Sequence, residues 1–389
     1  MTSTHKDGTV VAVQQNNPPH TADLVVVGAG IVGLAHAADA VLRGMSVVII
    51  ERDDQAVGAS IRNFGHICIT AQADAALQYA LAGRDRWLTL GRKAGFGVEE
   101  CGTTVIARSA DELAVLEEFA SERGAEQATL LPRQGLEDLP FDLHQILGAA
   151  HLPLDLRVDP RAAVPAITAW LATEGATFHW NTTVGEIVDE GRGSVVARTP
   201  RGDIRGRTLV HATGHDVDRL YPQVAEEWQV ERCRLQMLEV APPAGRRIDP
   251  AILTGLSMLR YNGLSAMPSA TAVAQRFAAD APELLEVAMN LMLTQRPDGA
   301  IVLGDTHHHA RTHLPFDEEL DAQLLLREGA RLFGAPLTVL RRWRGVYATS
   351  PRTDFLVAAP SADVRVVSIT SGIGMTTSLG LAPTVLDSF

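Results

Sequence analysis

The chain has 389 residues, a length at which two domains are the usual organisation. Its 46% hydrophobic and 21% charged residues are ordinary for a globular protein, and the formal net charge of −12 argues against a nucleic-acid partner or an anionic membrane surface. No apolar run is long enough to span a membrane, and the three cysteines form no CxxC pair, so we predict a cytoplasmic protein.

The order of elements begins after a polar leader, residues 1–20, which lacks the apolar segment of a signal peptide and is predicted to be disordered. Leu24–Val27 is an apolar run typical of a strand buried on both faces. An alanine-rich helix then continues to about Arg43, and Ser46–Ile50 is a second buried strand. Together these segments predict a βαβ unit.

The later elements are predicted from the spacing of apolar residues. The predicted helices are Asp74–Phe96, Asp111–Arg123, Pro160–Thr173 and one that begins near Thr376. The predicted strands are Leu152–Val158, Val184–Val188, Ser194–Arg198, Leu235–Val240, Ala300–Leu303 and Val364–Ile369. We interpret Thr182–Gly214 as another edge of the domain that contains the βαβ unit. That domain is predicted to be discontinuous, with residues 21–90, 150–220 and 340–389, and to be interrupted by a second domain of residues 91–149 and 221–339.

A glycine-rich turn, Gly28-Ala29-Gly30-Ile31-Val32-Gly33, joins the first strand to the first helix. In a dinucleotide-binding turn the first glycine permits the tight turn, the second lets the backbone approach a pyrophosphate, and the third lets helix and strand pack closely. Glu51 ends the next strand, where it can accept hydrogen bonds from both ribose hydroxyls and would repel a 2′-phosphate. This context predicts a dinucleotide site, which FAD and NAD would both satisfy.

Two further glycine-bounded segments favour FAD. Gly58–Gly65 is a polar loop just after the ribose-binding strand and can reach along an extended cofactor. Ser371–Thr377 is a glycine turn before the last helix, so the positive N-terminus of that helix is available to a reduced, anionic flavin.

With these motifs the chain resembles the D-amino-acid oxidase/glycine oxidase superfamily of FAD-dependent amine oxidoreductases, from Asp23 to the C-terminus. The glycine turn, Glu51, the Ser60–Gly65 loop, Val158–Pro160, Ala212–Gly214 and Gly372–Thr376 carry the resemblance. It implies an α/β fold: an FAD-binding Rossmann-like domain of the glutathione-reductase type with an inserted α+β substrate domain built on an antiparallel sheet.

The resemblance implies non-covalent FAD, because no cysteine follows Cys233 where sarcosine oxidases attach the flavin near the C-terminal turn. The cofactor-binding residues that it implies are Gly28, Ala29, Gly30, Ile31, Val32, Gly33, Glu51, Arg52, Ser60, Arg62, Asn63, Phe64, Gly65, Val184, Ala212, Thr213, Gly214, Gly372, Gly374, Met375 and Thr376.

Three segments are similar to a narrower branch associated with phosphonate breakdown, whose members oxidise secondary aminophosphonates: Ser60–Gly65, Gly304–His307 and Ser371–Leu381. The continuation after Phe64-Gly65 departs from that branch at His66-Ile67-Cys68, which indicates a different pocket shape near the flavin.

The chain also departs from glycine oxidases, whose substrate carboxylate is held by an arginine where this sequence has Tyr347. Another cation is needed for an anionic head group, and Arg260 is the first candidate, ahead of Arg352 and Arg62. A planar guanidinium suits a carboxylate or a phosphonate equally, so it does not choose between them. The predicted substrate-side and catalytic residues are Arg260, Tyr261, His307, Tyr347 and Met375.

The triplet His307-His308-His309 suggests a metal site, but no carboxylate or cysteine lies at a ligand spacing in the sequence, and we predict no metal. On a strand, His307 and His309 would share one face. The alternative to metal binding is that His307 lies near the substrate anion.

The function predicted from these features is oxidation of a small primary or secondary amine with an anionic head group, such as an N-alkyl aminophosphonate. Hydride passes from the α-carbon to flavin N5 and the imine hydrolyses, with no side-chain nucleophile required. The electron acceptor is molecular oxygen or another carrier, and a homo-oligomer is left open. The alternatives are an oxidase or dehydrogenase of glycine, sarcosine or D-amino acids, an NAD(P)H-using flavin monooxygenase, and a non-catalytic flavoprotein.

Overall fold

The computed structural model describes residues 21–389, which contain eleven α-helices and twenty strands. The predicted leader lies outside the described residues. The helices are α1 (Ile31–Leu42), α2 (Asp74–Ala94), α3 (Ala110–Arg123), α4 (Pro160–Thr173), α5 (Pro222–Glu227), α6 (Gly255–Met258), α7 (Asn262–Ser265), α8 (Ala270–Asp280), α9 (Pro282–Glu286), α10 (Glu319–Phe333) and α11 (Gly374–Leu386). Within this range no helix is both long enough and apolar enough to cross a membrane.

The strands form three sheets. They are β1 (Ala22–Val27), β2 (Val47–Ile50), β3 (His66–Ile67), β4 (Val98–Glu99), β5 (Thr103–Ala107), β6 (Thr129–Pro132), β7 (Gly148–Leu152), β8 (Leu156–Val158), β9 (Thr177–His179), β10 (Glu186–Asp189), β11 (Val195–Arg198), β12 (Ile204–His211), β13 (Glu231–Val240), β14 (Ala251–Leu253), β15 (Met292–Gln295), β16 (Ile301–Gly304), β17 (His308–Ala310), β18 (Val339–Thr349), β19 (Phe355–Ser361) and β20 (Val364–Ile369).

The first sheet has a parallel centre, in which β9, β2, β1, β12 and β20 lie side by side. Strands β10, β11 and β19 extend it by antiparallel pairing. Because all the parallel strands run in the same direction, their carboxyl ends lie along one edge, which is where ligands bind in open α/β sheets.

The second sheet has nine strands in the order β17-β13-β16-β15-β14-β5-β7-β6, with β18 also paired to β13. Its neighbours are antiparallel except for β5 and β14. The α/β fold with a largely antiparallel second sheet agrees with the sequence-based prediction. A small third sheet, β3-β8-β4, lies between the segments that form the two large sheets in the chain.

Helix α11 is packed unusually close to α2, and this contact sets the position of its N-terminus. A Cβ on Gly380 would lie 2.0 Å from the carbonyl oxygen of Tyr79, so only glycine permits the approach. Nearer the N-terminus, the buried Trp87 indole donates a hydrogen bond to the Met375 carbonyl at 2.8 Å. The first turn of α11 is therefore held from behind by α2.

The largest difference from the predicted elements concerns Leu152–Val158, which was predicted to be one strand. The chain turns after Leu152, and β7 and β8 belong to different sheets. Pro153 has no N–H to donate to a strand ladder, and the Asp155 carboxylate accepts backbone hydrogen bonds from Ile69 and Thr70 instead. Apolar composition alone did not reveal this turn.

The predicted edge of the first domain is also wrong in position. β12 lies inside the sheet, between β1 on one side and β11 and β20 on the other, and its Leu209 and Val210 are fully buried. The predicted domain boundaries at 150 and 340 do not coincide with the division between sheets, since β7 and β18 both belong to the second sheet. The domain ranges remain a prediction.

Candidate active site

The main cleft lies at the carboxyl ends of β1, β2 and β12 and has a volume of about 390 Å³. It extends from the glycine turn after β1 to the inner face of the second sheet, where Leu235, Gly345 and Tyr347 line it. All the predicted cofactor-binding residues line this cleft except Ala29, Gly33 and Gly65. These three support the walls instead, through close backbone contacts around the turn and the loop.

The glycine turn has the close contacts that its sequence predicted. Gly28 has a φ of +107°, and a Cβ there would lie 2.5 Å from the Ala212 carbonyl oxygen, so the position requires glycine. A Cβ on Gly33 would lie 1.9 Å from the Gly28 oxygen, so helix α1 can start directly against the turn only with glycine at this position. The Ser60 hydroxyl accepts a hydrogen bond from the Ile31 N–H at 2.8 Å and joins the Gly58–Gly65 loop to the turn.

Glu51 is fixed where the nucleotide ribose was predicted to bind. Its Oε2 accepts a hydrogen bond from the Ala29 N–H at 2.8 Å, and its Oε1 accepts one from the Asp53 N–H at 3.1 Å. Both contacts are to backbone, so the carboxylate is oriented without a side-chain partner. Carboxylate oxygens accept up to two hydrogen bonds each, which leaves capacity for hydroxyl donors in the cleft.

Two helices begin at the cleft without a side-chain cap: α1 at Gly30, and α11 at Ile373. Uncapped helix N-termini present free N–H groups and the positive end of the helix dipole. Gly374, Met375 and Thr376 of the second helix line the cleft at its far end. One terminus can therefore face a pyrophosphate and the other the anionic ring of a reduced flavin, so the donor set fits FAD in an extended conformation.

Arg260 lies at the end of the cleft beside the α11 turn. Its Nη2 donates a hydrogen bond to the Ser371 carbonyl at 2.8 Å and lies 3.3 Å from the Tyr347 hydroxyl. Burial raises the pKa of Tyr347, so the phenol stays protonated at neutral pH. The Tyr347 ring packs against Gly372, where a Cβ would approach the ring to 3.0 Å. The two predicted substrate residues are thus in contact with each other and with the terminal glycine turn.

The same end of the cleft holds a buried carboxyl group, Asp305, that carried no predicted role. It is 4% exposed, and its Oδ1 accepts a hydrogen bond from Asn290 Nδ2 at 3.1 Å. Burial raises its pKa to about 7, although Arg260 and Asn290 act in the opposite direction. A buried carboxyl that titrates near neutrality and lines a cleft is typical of a functional site.

His307 neighbours this carboxyl, with its Nε2 3.7 Å from Asp305 Oδ2. Its Nδ1 is 2.8 Å from the Ala288 carbonyl, which fixes the ring. Burial, reinforced by the positive charge of Arg260, lowers the pKa of His307 to about 3, so the ring is neutral across the physiological range. His307 therefore offers the cleft a neutral polar group.

The histidine triplet differs from its predicted geometry. Strand β17 begins at His308, so His307 precedes it, and His307 is buried while His309 is exposed. The two do not share a face. Carboxylates that the sequence spacing did not show are close in space, because His308 Nε2 lies 2.6 Å from Asp321.

The other predicted residues are divided by the structure. Tyr261 and Met375 line the cleft with Arg260, and Tyr261 donates to Met292 Sδ at 3.5 Å. Arg62 lines the cleft but its Nη1 donates to the Arg344 carbonyl at 3.2 Å. Arg352, the other alternative anion ligand, is exposed and is not among the cleft residues, so that candidate was wrong.

Sequence reasoning also missed a buried group of side chains, His66, Cys68 and Asp155, whose ligand atoms lie within 4.8 Å of one another. The Asp155 carboxylate already accepts hydrogen bonds from the Ile69 and Thr70 N–H groups and from the Thr103 hydroxyl. Burial raises the pKa of the Cys68 thiol well above its usual range, which disfavours the thiolate that a metal requires. These hydrogen bonds account for the cluster without an ion.

Comparison with known proteins gives one family. The family described as FAD dependent oxidoreductase matches residues 23–387. One of the two kinds of polypeptide that make up an opine oxidase of Rhizobium meliloti is 24% identical over 218 residues, and the match spans 52% of this chain and 58% of that protein. The matched region thus covers little more than half the length of this relative.

Two solved structures share the fold at low sequence identity. L-proline dehydrogenase from P. horikoshii superposes with a TM-score of 0.77 at 18% identity, covering 95% of this chain and 93% of the other. Glycine oxidase from Geobacillus kaustophilus superposes with a TM-score of 0.75 at 19% identity, covering 95% and 94%. The family match over nearly the whole chain and the site that fits the flavin lead to one conclusion: this chain belongs to the FAD-dependent oxidoreductase family and is an FAD-binding enzyme.

Proposed function

We propose that the protein oxidises a small amine carrying an anionic head group, with an N-alkyl aminophosphonate as the first substrate class. The observation that supports this most directly is the position of Arg260. Its guanidinium lies in the cleft beside the N-terminus of α11, among residues that come from the second sheet and from the terminal glycine turn.

Arg260 makes its two protein contacts through Nη2 alone, and both acceptors are neutral oxygen atoms. Within residues 21–389 it forms no ion pair with a carboxylate, although many other arginines of the chain do. A cation held in a cleft by neutral partners is a suitable ligand for an anion, and a planar guanidinium can bind a carboxylate or phosphonate through two oxygens.

Bound FAD would supply the two-electron acceptor, taking a hydride from the carbon next to the amine nitrogen. The protein's contribution is orientation and electrostatics. Arg260 holds the anionic group, the Tyr347 ring supports the terminal turn at Gly372, and apolar Leu235 and Met292 keep water out of the inner end of the cleft. Fixed geometry of this kind lowers the barrier without a side-chain nucleophile.

The alternative substrate class is an α-amino acid. The names of the similar proteins favour it, since glycine oxidase and proline dehydrogenase are named for amino acids and the third is named for an opine. Tyr347 stands where glycine oxidases were expected to have their carboxylate-binding arginine, and this difference favours a head group held elsewhere, at Arg260.

The test is anaerobic reduction of the purified, FAD-loaded protein, followed by loss of the flavin absorbance band. N-methyl-2-aminoethylphosphonate would be compared with sarcosine, glycine and D-alanine at equal concentrations. We expect the phosphonate to bleach the flavin fastest. Faster bleaching by an amino acid would assign the protein to the alternative class, and no bleaching by any anionic amine would overturn the proposed function.

A further inference from the structure

We infer that Asp305 is a second substrate-binding and catalytic residue, which binds the cationic nitrogen of the substrate and accepts the proton that this nitrogen must lose before oxidation. The inference rests on the proposed function, because it assigns the amine end of the same substrate whose anionic end is assigned to Arg260. It defines the substrate class more narrowly, as a zwitterion with one anionic group and one ammonium group.

The first observation is that one oxygen of Asp305 is left for a ligand. Asn290 Nδ2 donates to Oδ1 at 3.1 Å, whereas Oδ2 receives no hydrogen bond from the described part of the chain. The nearest candidate donor, His307 Nε2, is 3.7 Å from Oδ2, beyond hydrogen-bonding distance. Asp305 lines the cleft, so this oxygen is accessible to a bound molecule although the residue is 4% exposed.

The second observation is that Asp305 and Arg260 line the same cleft without pairing with each other. Arg260 is near enough to lower the pKa of Asp305, yet the two form no ion pair in residues 21–389. Buried charges are usually paired, because an unpaired one is costly to remove from water. A zwitterion bound between them would pair both, with its anion on the guanidinium and its ammonium on Oδ2.

The surroundings of Asp305 suit a proton acceptor. The titratable and charged groups that face it are Arg260, Tyr261, Tyr347, His307 and the Cys233 thiol. Both phenols and the thiol have raised pKa values, and His307 has a lowered one, so all four are neutral near pH 7. Asp305 is thus the group in this set that changes charge near neutrality, where a general base is most effective.

The proton step is balanced without an added reagent. An ammonium N–H bond of the substrate breaks, an O–H bond forms at Asp305 Oδ2, and the electron pair stays on nitrogen. No electron leaves the substrate in this step. The resulting neutral amine has the lone pair that oxidation at the adjacent carbon requires, and the Asp305 proton is later lost to solvent.

The experiment measures binding, using pairs of unreactive ligands that differ only in the ammonium group. The first pair is 2-amino-2-methylpropylphosphonate and 2,2-dimethylpropylphosphonate, and the second pair is 2-aminoisobutyrate and pivalate. Neither amine has hydrogen on the carbon that bears nitrogen, so neither can be oxidised there. Dissociation constants would be measured by calorimetry on the FAD-loaded wild type, on Asp305→Asn and on Asp321→Asn. The last is a matched control, because Asp321 is equally buried but pairs with His308 outside the cleft.

At pH 8 we expect the wild type to bind the ammonium member of one pair at least about 10-fold more tightly than its uncharged partner. Asp305→Asn should reduce this preference to about 2-fold or less, and Asp321→Asn should retain it. The wild-type preference should also weaken from pH 8 to pH 6 as Asp305 becomes protonated, a result that does not depend on any variant folding.

Equal binding of both members by the wild type, or an undiminished preference in Asp305→Asn, would overturn the inference. These outcomes are separate from those for the proposed function. A wild type that is reduced by anionic amines while Asp305→Asn keeps the preference contradicts only the role of Asp305. A wild type that prefers ammonium ligands but is reduced by no amine supports that role and contradicts the proposed function.

Discussion

The two ends of the cleft are built in different ways. At the nucleotide end the important groups are backbone atoms: the turn at Gly28, the N–H groups at the start of α1, and a Glu51 carboxylate oriented by two backbone donors. At the substrate end the important groups are side chains, Arg260 and Asp305, which are far apart in sequence. The first end recognises a shape that many enzymes share, and the second selects a particular molecule.

This difference explains why the family and the substrate are known with different sharpness. A backbone site needs glycine at fixed spacings, and a short motif records that requirement. A side-chain site needs one suitable residue from each of several segments, and substitution of any one changes the chemistry while the fold is kept. Variants at the two ends should therefore fail in different ways.

The largest effect is expected for Gly28→Ala, which tests the nucleotide end. The new Cβ would lie 2.5 Å from the Ala212 oxygen at a φ of +107°, so the turn must move and the phosphate-facing backbone with it. We expect loss of FAD from the purified protein, measured by the ratio of flavin to protein absorbance and by FAD titration.

Gly175→Ala is the control for that variant, because Gly175 has a similar φ of +95° but nothing within 4 Å of an added Cβ. It should keep its FAD. Normal flavin content in Gly28→Ala would show that the nucleotide end tolerates backbone change, and the comparison between the two ends would fail.

The next effect is expected for Arg260→Met, which tests the substrate end. The variant should retain FAD but lose about 100-fold or more in the efficiency of anaerobic flavin reduction by an anionic amine, because removing one partner of a buried charge pair costs about 2–5 kcal/mol. Arg352→Ala, at an exposed arginine outside the cleft, should behave like the wild type. Parallel loss of FAD in Arg260→Met would mean that the two ends are not separable.

A smaller effect is expected on stability from Asp305→Asn. In the folded protein the pKa of Asp305 is raised to about 7, so the folded state retains a proton that the unfolded state has already lost. The stability contributed by this group is present at low pH and is lost as the pH rises to about 7. The variant should therefore gain about 1–3 kcal/mol in free energy of unfolding, relative to wild type, between pH 5 and pH 8.

Urea denaturation of both FAD-loaded proteins at the two pH values measures this gain. A constant difference between them would contradict the raised pKa. A gain at pH 8 combined with lost ammonium preference would show that the substrate end gives up stability for function, as strained sites commonly do.

The smallest effect is expected for Tyr347→Phe. The change removes the hydroxyl that lies 3.3 Å from Arg260 Nη2 but keeps the ring against Gly372. We expect a loss of about 3- to 10-fold in the affinity for an anionic amine, since one neutral hydrogen bond contributes about 0.5–1.5 kcal/mol. Affinity is measured from the concentration dependence of anaerobic reduction, and a loss as large as that of Arg260→Met would make the phenol a direct ligand.

The same difference between the ends set what could be predicted from the sequence. The βαβ unit, Pro160–Thr173 as a helix and Val364–Ile369 as a strand were predicted correctly, because their signals are local. Asp305 and Asn290 were missed, because their significance depends on burial and on strands that pair across the second sheet. Arg352 was wrongly considered, because sequence cannot show whether an arginine faces a cleft or solvent. The break after Leu152 was missed because apolar composition does not reveal where a strand changes sheets.

The position of α11 has a consequence for how the enzyme is made. The cleft begins with a turn at Gly28 and is closed by Gly374–Thr376, more than 300 residues later in the order of synthesis. A nascent chain that emerges from the ribosome N-terminus first therefore presents half of a cofactor site for most of its translation. We expect stable FAD loading only after residues beyond Thr376 have left the ribosome, with the flavin completing the protein's assembly.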